Sequence, residues 1–353
     1  MKMNRLAEQV RKTGSVPLSW AGSTMAMDYL NIGDALSPVM VALLSGKPVH
    51  RVPSRSKTMR MACVGTIAHG ISGGEVWFWG TGSSRWTNPS AAKEELVPFA
   101  PSADSTFHVT ATRGPLSEAL ITGAAEGTVG VYGDPVWLLP RFYAPRIEKS
   151  WKLGVIVHLS ELADRDPEAH MKETLLRYGI PEAFAPHVRL INTVTSIGMD
   201  AMKTRIDEIL ACERIVSTSL HGMVFAESYD IPCLHFATHG PVKGLHTRRL
   251  DETCDLDPRV IDLYRGLGLS DLPVYALPRT EPTDWEDLIS AIDRAWTPKA
   301  FDAEALIAAF PLDVAPLEAR PGETIWEHPV LQGLVLQHDV KELNLADRLL
   351  NKA

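Results

Sequence analysis

The sequence predicts an α/β protein made of two parallel-sheet domains that face each other. Three observations carry this expectation. Short apolar runs that read as buried strands alternate with stretches of helical period in both halves of the chain. At 353 residues the chain is long enough for two separate cores. Residues 139–151 carry Pro140, Pro145 and several charges without periodicity, and so read as a boundary. The expected bounds are 1–145 for the first domain, 146–295 for the second and 296–353 for a C-terminal helical tail.

In the first domain, Leu6 and Val10 mark one face of a short amphipathic lead-in helix. Asn31, Gly33 and Asp34 then form a turn before an apolar helix with Leu36, Val39, Met40, Leu43 and Leu44 as its buried stripe and Gly46 as its stop. Asp34 is placed either to cap that helix or to hold or deprotonate a hydroxyl. Residues 50–60 are basic and turn-rich, the pattern of a solvated loop. Strands are expected at 61–67, 75–80 and 107–114. The turn after the second, with Gly82 and Ser83, lacks the lysine of a Walker loop and the spacing of a dinucleotide fingerprint, but suits close approach of a ligand to backbone. Arg113 ends the third strand just before Pro115 opens a helix, at the sheet edge where open α/β proteins bind ligands. Its guanidinium could clamp a carboxylate or phosphate, or make a structural ion pair. Asp134, in the Gly-Asp-Pro turn at 133–135, occupies a similar place.

The second domain opens with a strand at 152–160 whose end carries His158. Helices are expected at 167–178 and 200–211 around a strand at 188–194. The stretch 213–236 then reads as strand, polar turn, helix and strand. Ser219 is a natural N-cap, and His221 falls in the first turn of the helix, where unpaired N–H groups and the helix dipole favour an anion. Leu220 and Gly222 flank it, and a glycine there leaves backbone open to a ligand. The alternative is a plain cap with a polar residue at its mouth. Lys243, Arg248 and Arg249 read as a cationic loop beside that mouth. His235, His239 and His246 do not read as a zinc site, because no helix sets their spacing. Short helices follow at 258–268 and beyond 284.

A net charge of −8 disfavours nucleic acid as a partner. Four cysteines without a CxxC pair suit a reducing compartment. The basic N-terminus leads into no apolar core of a signal peptide, and no apolar run is long enough to span a bilayer, so a cytoplasmic location is expected. No carboxylate cluster points to an obligatory metal.

Taken in order, NIGD at 31–34, GTGS at 80–83, RGP at 113–115, GDPVWLLP at 133–140, VHLS at 157–160 and STSLHGMVFAESYDIP at 217–232 resemble the polysaccharide pyruvyltransferase family. The resemblance covers about residues 28–310. It implies two Rossmann-like domains facing a cleft, similar to B-type glycosyltransferases. It also implies phosphoenolpyruvate as co-substrate, with no other cofactor, and a sugar diol as acceptor, giving a pyruvate ketal and free phosphate. On that chemistry Arg113 and the backbone at 220–222 would hold the donor's anions, His221 would bind the phosphate and help it leave, and Asp34 would orient or deprotonate the acceptor. Asn31, Gly82, Ser83, Asp134, His158, Ser219, Lys243 and Arg248 are further candidate contacts to substrate. A glycan or lipid-linked sugar acceptor is the implied partner, and a lipid-linked one would bring the protein to the inner membrane surface. A nucleotide-sugar glycosyltransferase and a non-catalytic glycan-binding relative are the alternatives on the same architecture.

Overall fold

The computed structural model describes residues 4–351. Two compact units emerge. The first is Met1–Asp28, Gly33–Tyr143 and Phe301–Ala353, and the second is Tyr29–Ile32 with Ala144–Ala300.

The first unit holds a five-stranded sheet, with β1 Val16–Ser19, β2 Val49–Arg51, β3 Arg60–Ala62, β4 Gly74–Phe78 and β5 Ser105–Val109. Every pair is parallel, and the strands lie in the order β2-β1-β3-β4-β5. Its strands are shorter than the sequence suggests because their carboxyl ends leave the ladder as turns. Helix α1 (Arg5–Thr13) stops at Gly14, whose φ of 72° is the left-handed conformation glycine adopts without strain. Helix α2 (Ile32–Ser45) is almost wholly buried, as its apolar run requires. Helix α3 (Pro115–Thr122) has proline in its first turn and inserts Ile121 against Ala62, Val76 and Phe78.

The second unit holds β6 Leu153–Val157, β7 Val188–Asn192, β8 Ile215–Ser217, β9 Cys233–Ala237, β10 Gly244–Arg249 and β11 Asp271–Ala276. The order is β7-β6-β8-β9-β11-β10, parallel except for the edge strand β10. Every residue of β6 and of β9 is buried, as expected of parallel strands covered on both faces. Helices α4 (Met199–Leu210), α5 (Leu220–Ser228), α6 (Pro258–Gly266) and α7 (Trp285–Ala295) surround the sheet. Trp285, Leu288, Ala291 and Ile292 of α7 recur at helical spacing and join Val155, Val216, Leu234 and Phe236 in one core.

Two expectations fail. The stretch 167–178 is not a helix; it runs as turns to a single 3-10 turn at Leu176–Tyr178. The buried Asn192 amide fastens the start of the stretch, donating to the carbonyls of Asp166, Pro167 and Glu168 at 2.9, 3.1 and 2.9 Å, a local side-chain-to-backbone arrangement that competes with a helix. The C-terminal segment is not a separate tail. Residues 301–353 belong to the first unit, where Trp79 donates its Nε1–H to Leu306 O at 2.8 Å and packs on Phe310, while Phe301 stacks on Trp137. Ala315 and Leu317 donate backbone N–H to Leu44 and Leu43, and Trp326 is buried beside Tyr143. Deleting residues 301–353 uncovers Trp79 and Trp137 together, so the truncated chain is expected to be insoluble or to melt well below the full chain. Comparing soluble yield and Tm of the two checks this, and equal values would contradict it.

Candidate active site

In open parallel sheets of this strand order the two crossovers that leave the central pair run to opposite faces, and a crevice opens at the carboxyl ends of that pair. In the second unit the pair is β6 and β8. His158 follows β6 and donates its backbone N–H to Thr218 Oγ1 at 2.9 Å, just beyond β8. A pocket of about 180 Å³ opens there, lined by His158, Thr218, His235, Asp257, Arg259 and Arg279 among others. They come from five places in the chain, since Asp257 and Arg259 share the start of α6. His235 lies in β9, and Asp257 caps α6, its carboxylate accepting from Arg259 N at 2.9 Å. Arg259 bends back to the same carboxylate, with Nη2 to Oδ2 at 2.6 Å, and its two Nη atoms lie 3.5 and 3.4 Å from His158 Nε2. Arg279 donates from Nε to Glu161 Oε1 at 2.5 Å, and the Tyr178 hydroxyl donates to the other oxygen of that carboxylate.

The charges in this pocket are sorted by burial. Desolvation, aided by the positive charge of Arg259, lowers His158 to about 4. Burial lowers His235 to about 4 as well, and its Nδ1 faces the Ser217 carbonyl at 3.0 Å, so that nitrogen carries the proton. Both rings are neutral at pH 7. Burial pushes Asp257 up, but the hydrogen bond and charge of Arg259 outweigh it and hold the carboxyl at about 2. With both imidazoles neutral, the positive charge in the lining sits on the guanidinium groups of Arg259 and Arg279, which Asp257 and Glu161 pair, and Asp255 adds a further carboxylate.

In the first unit the loops at the strand carboxyl ends lie side by side. Thr66 bridges Gly82, Thr81 bridges Thr112, and Thr112 bridges Tyr132. Arg113 is 2% exposed beneath this surface and donates from Nη1 to Thr66 Oγ1 at 2.6 Å. A Cβ placed on Gly82 would lie 2.3 Å from that Nη1, so the glycine is needed for the guanidinium to fit. Asp134 is buried, accepts from Val136 N at 3.0 Å as a helix cap, and is pushed up to about 6 by burial, against the opposing charge of Arg113. Ser83 N donates to Ser117 Oγ at 2.9 Å. Asp34 opens α2 with its Oδ1 only 2.9 Å from where a Gly65 Cβ would stand.

The structure thus divides the residues singled out in the sequence. Asp34, Gly82, Ser83, Arg113 and Asp134 lie in the first unit. His158 lines the pocket of the second. His221 and Leu220 are buried in the first turn of α5, and Asn31 belongs to a short strand of the second unit, opposite Val194. Three readings are corrected. Gly222 does not open backbone to a ligand: a Cβ there would lie 2.2 Å from Ser217 Oγ and 2.8 Å from Ile156 Cγ2, so it serves helix-on-strand packing. Ser219 sits at the cap position without a side-chain cap bond; Ser217 Oγ accepts from Ser219 N at 2.9 Å instead. Lys243, Arg248 and Arg249 are not a free cationic loop. Residues Gly244–Arg249 form an edge strand, and Glu281, Asp255 and Asp251 pair with the three side chains in turn.

His235, Asp257, Arg259 and Arg279 were not singled out by the sequence as site residues. The one local signal was the Asp-Pro-Arg run at 257–259, which reads first as a helix start. Among the described residues no group of three or more His, Cys, Asp or Glu is arranged to hold a metal ion, and no helix is long and apolar enough to cross a membrane. Residues 68–240 match a family model described as polysaccharide pyruvyl transferase. No curated protein and no solved structure matches the chain.

Proposed function

From the chain's membership of the polysaccharide pyruvyl transferase family, we propose that this enzyme moves a pyruvyl group from phosphoenolpyruvate onto two hydroxyls of one sugar in a polysaccharide or its precursor. The observation that carries the reading is the small pocket at the β6–β8 crevice, whose lining brings the guanidinium groups of Arg259 and Arg279, each paired to a carboxylate, beside neutral imidazoles. Phosphoenolpyruvate carries a carboxylate and a phosphate on three carbons, and such a ligand calls for forked cations and helix-end N–H donors. At about 180 Å³ the pocket is below the ~300–1,000 Å³ usual for drug-sized ligands, which suits a small acid better than a nucleotide sugar.

In the reaction, the methylene carbon takes up a proton and the first sugar hydroxyl adds to the neighbouring carbon, giving up its own proton. The second hydroxyl then displaces phosphate, closing the ketal. His221, in the first turn of α5, is our candidate for holding the phosphate, and in its protonated form for helping it leave. Asp34 is our candidate for orienting the acceptor, whose contacts we place among the loops of the first unit. Phosphoenolpyruvate would be the co-substrate without a further cofactor or metal. We place the enzyme in the cytoplasm, where a lipid-linked acceptor would draw it to the inner membrane surface.

Thermal unfolding tests the donor. Phosphoenolpyruvate is expected to raise Tm, by the equivalent of ~2.7 kcal/mol at a hundredfold excess over Kd, and His221→Ala is expected to abolish the rise. A rise with uridine or guanosine diphosphate sugars and none with phosphoenolpyruvate would move the assignment to a glycosyltransferase. Turnover is expected to survive thorough chelation, and activity lost to a chelator and restored by magnesium would overturn metal independence.

A further inference from the structure

Helix Val340–Leu350 turns polar side chains toward the first unit and leucines toward water. None of its residues is buried. Asp347 accepts from Ser56 Oγ at 2.5 Å and Thr58 Oγ1 at 2.8 Å, and Asn351 Nδ2 donates to Thr58 Oγ1 at 3.1 Å. Residues 343, 347 and 351 therefore mark the face that meets the unit. Lys341, Leu345 and Leu349 recur four residues apart on the opposite face, with Arg348 and Leu350 beside them. Leu345, Leu349 and Leu350 are 55, 60 and 65% exposed. A surface helix ordinarily has the reverse arrangement, with its apolar stripe inward.

The loop that holds this helix supplies cations. Arg60 lies buried beneath it and donates to the carbonyls of Ser54, Ser56 and Thr58 at 2.7, 2.9 and 2.9 Å, which fixes its course. Arg55 and Lys57, between those residues, are exposed, as are Lys341 and Arg348 of the helix. None of the four pairs with a described carboxylate. Of the carboxylates nearby, Asp347 is engaged by Ser56 and Thr58, Asp339 accepts the backbone N–H groups of Lys341 and Glu342, and Asp104 accepts from Ser102 Oγ at 2.6 Å. Glu342 is exposed. The basic run at 50–60 and the leucines near residue 350 thus form one surface of the first unit.

A second copy of the chain fits this surface poorly. Eleven residues of helix extend about 16 Å, and one face of such a rod falls far short of the ~800 Å² that each partner of a stable complex buries. A bilayer asks for no matching contour. It takes leucines into the headgroup boundary, and anionic lipids attract lysine and arginine.

We propose that helix Val340–Leu350 and the loop at 54–58 dock on an anionic phospholipid bilayer, with Leu345, Leu349 and Leu350 entering the headgroup boundary and Arg55, Lys57, Lys341 and Arg348 facing lipid phosphates. The contact requires no lipid-linked acceptor, and it does not rest on the pyruvyl-transfer reading.

Co-sedimentation of the full chain with vesicles tests this, using equal parts phosphatidylcholine and phosphatidylglycerol against phosphatidylcholine alone. The proteins compared are wild type, the double variant Leu345→Gln with Leu349→Gln, and the double variant Arg55→Gln with Lys57→Gln. Wild type is expected to prefer the anionic vesicles by about tenfold or more and to release them as salt is raised. Each double variant is expected to bind them about tenfold more weakly. Glutamine keeps helix propensity and the replaced side chains are exposed, so Tm should not move. Failure of wild type to bind at low salt, equal binding to both vesicles, or wild-type binding by either variant would overturn the proposal. A lowered Tm in the leucine variant would assign those side chains to the fold instead. Light scattering that shows a dimer, lost in the leucine variant, would give the face to a second copy. The vesicles carry neither donor nor sugar, so each of these failures leaves the pyruvyl-transfer reading standing.

Discussion

Arg113→Ala is expected to destabilise the first unit by about 3–5 kcal/mol, the range for breaking a buried charged pair. The guanidinium is 2% exposed, donates to Thr66 Oγ1 at 2.6 Å, and fills the space that the absent Gly82 side chain leaves. Its loss empties that space, strands the Thr66 hydroxyl and removes the charge that eases ionisation of buried Asp134. Urea unfolding measures the cost. Asp134→Asn is expected to cost less, because an amide oxygen can still accept from Val136 N. The double variant should then cost less than the sum of the two, since the carboxylate that Arg113 supports is already gone. The cycle also decides what Arg113 is for. A variant that folds with wild-type stability and fails only in turnover would return Arg113 to the donor-binding role that its place at a strand end suggests. A variant that loses stability as expected makes it the tie that holds the 66, 82 and 113 turns together.

Much of the framework was legible because parallel strands are buried on both faces and appear as short unbroken apolar runs. Leu153–Val157 and the run beginning at Ile215 stand out for that reason, and His158 and Thr218 follow directly at their carboxyl ends. Arg259 was not legible as their neighbour. It stands 101 residues from His158 in the chain and reaches it only through the order in which the strands pair, which leaves no local pattern. The cations at 243, 248 and 249 misled for a related reason: sequence displays the charge but hides the carboxylates of Glu281, Asp255 and Asp251 that the fold brings to them. Gly222 illustrates a third limit. A missing side chain looks the same whether backbone approaches a ligand or, as here, approaches Ser217 and Ile156. Residues 301–353 looked peripheral because they read as a helical tail, and nothing local shows that Phe301, Phe310 and Trp326 find their partners in Trp137, Trp79 and Tyr143.

Stability of the second unit is expected to fall as pH drops from about 6.5 to about 4, and His235 should account for about 3 kcal/mol of that loss. A histidine titrates near 6.5 when unfolded, whereas burial holds His235 at about 4 in the fold. In the interval the unfolded chain binds a proton that the folded chain refuses, so each step down in pH favours unfolding. The stabilisation is complete above 6.5 and gone below 4. The fall from about 6.5 to about 4, at 1.36 kcal/mol for each step of one in pKa, gives the magnitude. His158 acts in the same direction, but its greater exposure to the pocket discounts its share. Glu227, raised by burial, opposes the trend, because the fold takes up its proton before the unfolded chain does. Asp257, held at about 2, and Glu161, lowered overall as Tyr178 and Arg279 outweigh its burial, lose their contributions mainly below the histidine window. His235→Gln isolates the histidine, since the amide can still donate to the Ser217 carbonyl while carrying no titrating group. Urea midpoints at pH 7.5 and 4.5 should therefore separate widely in wild type and much less in the variant. Equal separations would mean that His235 is not held neutral by its surroundings, and the pocket would then contain an imidazolium as well as its guanidinium groups at neutral pH.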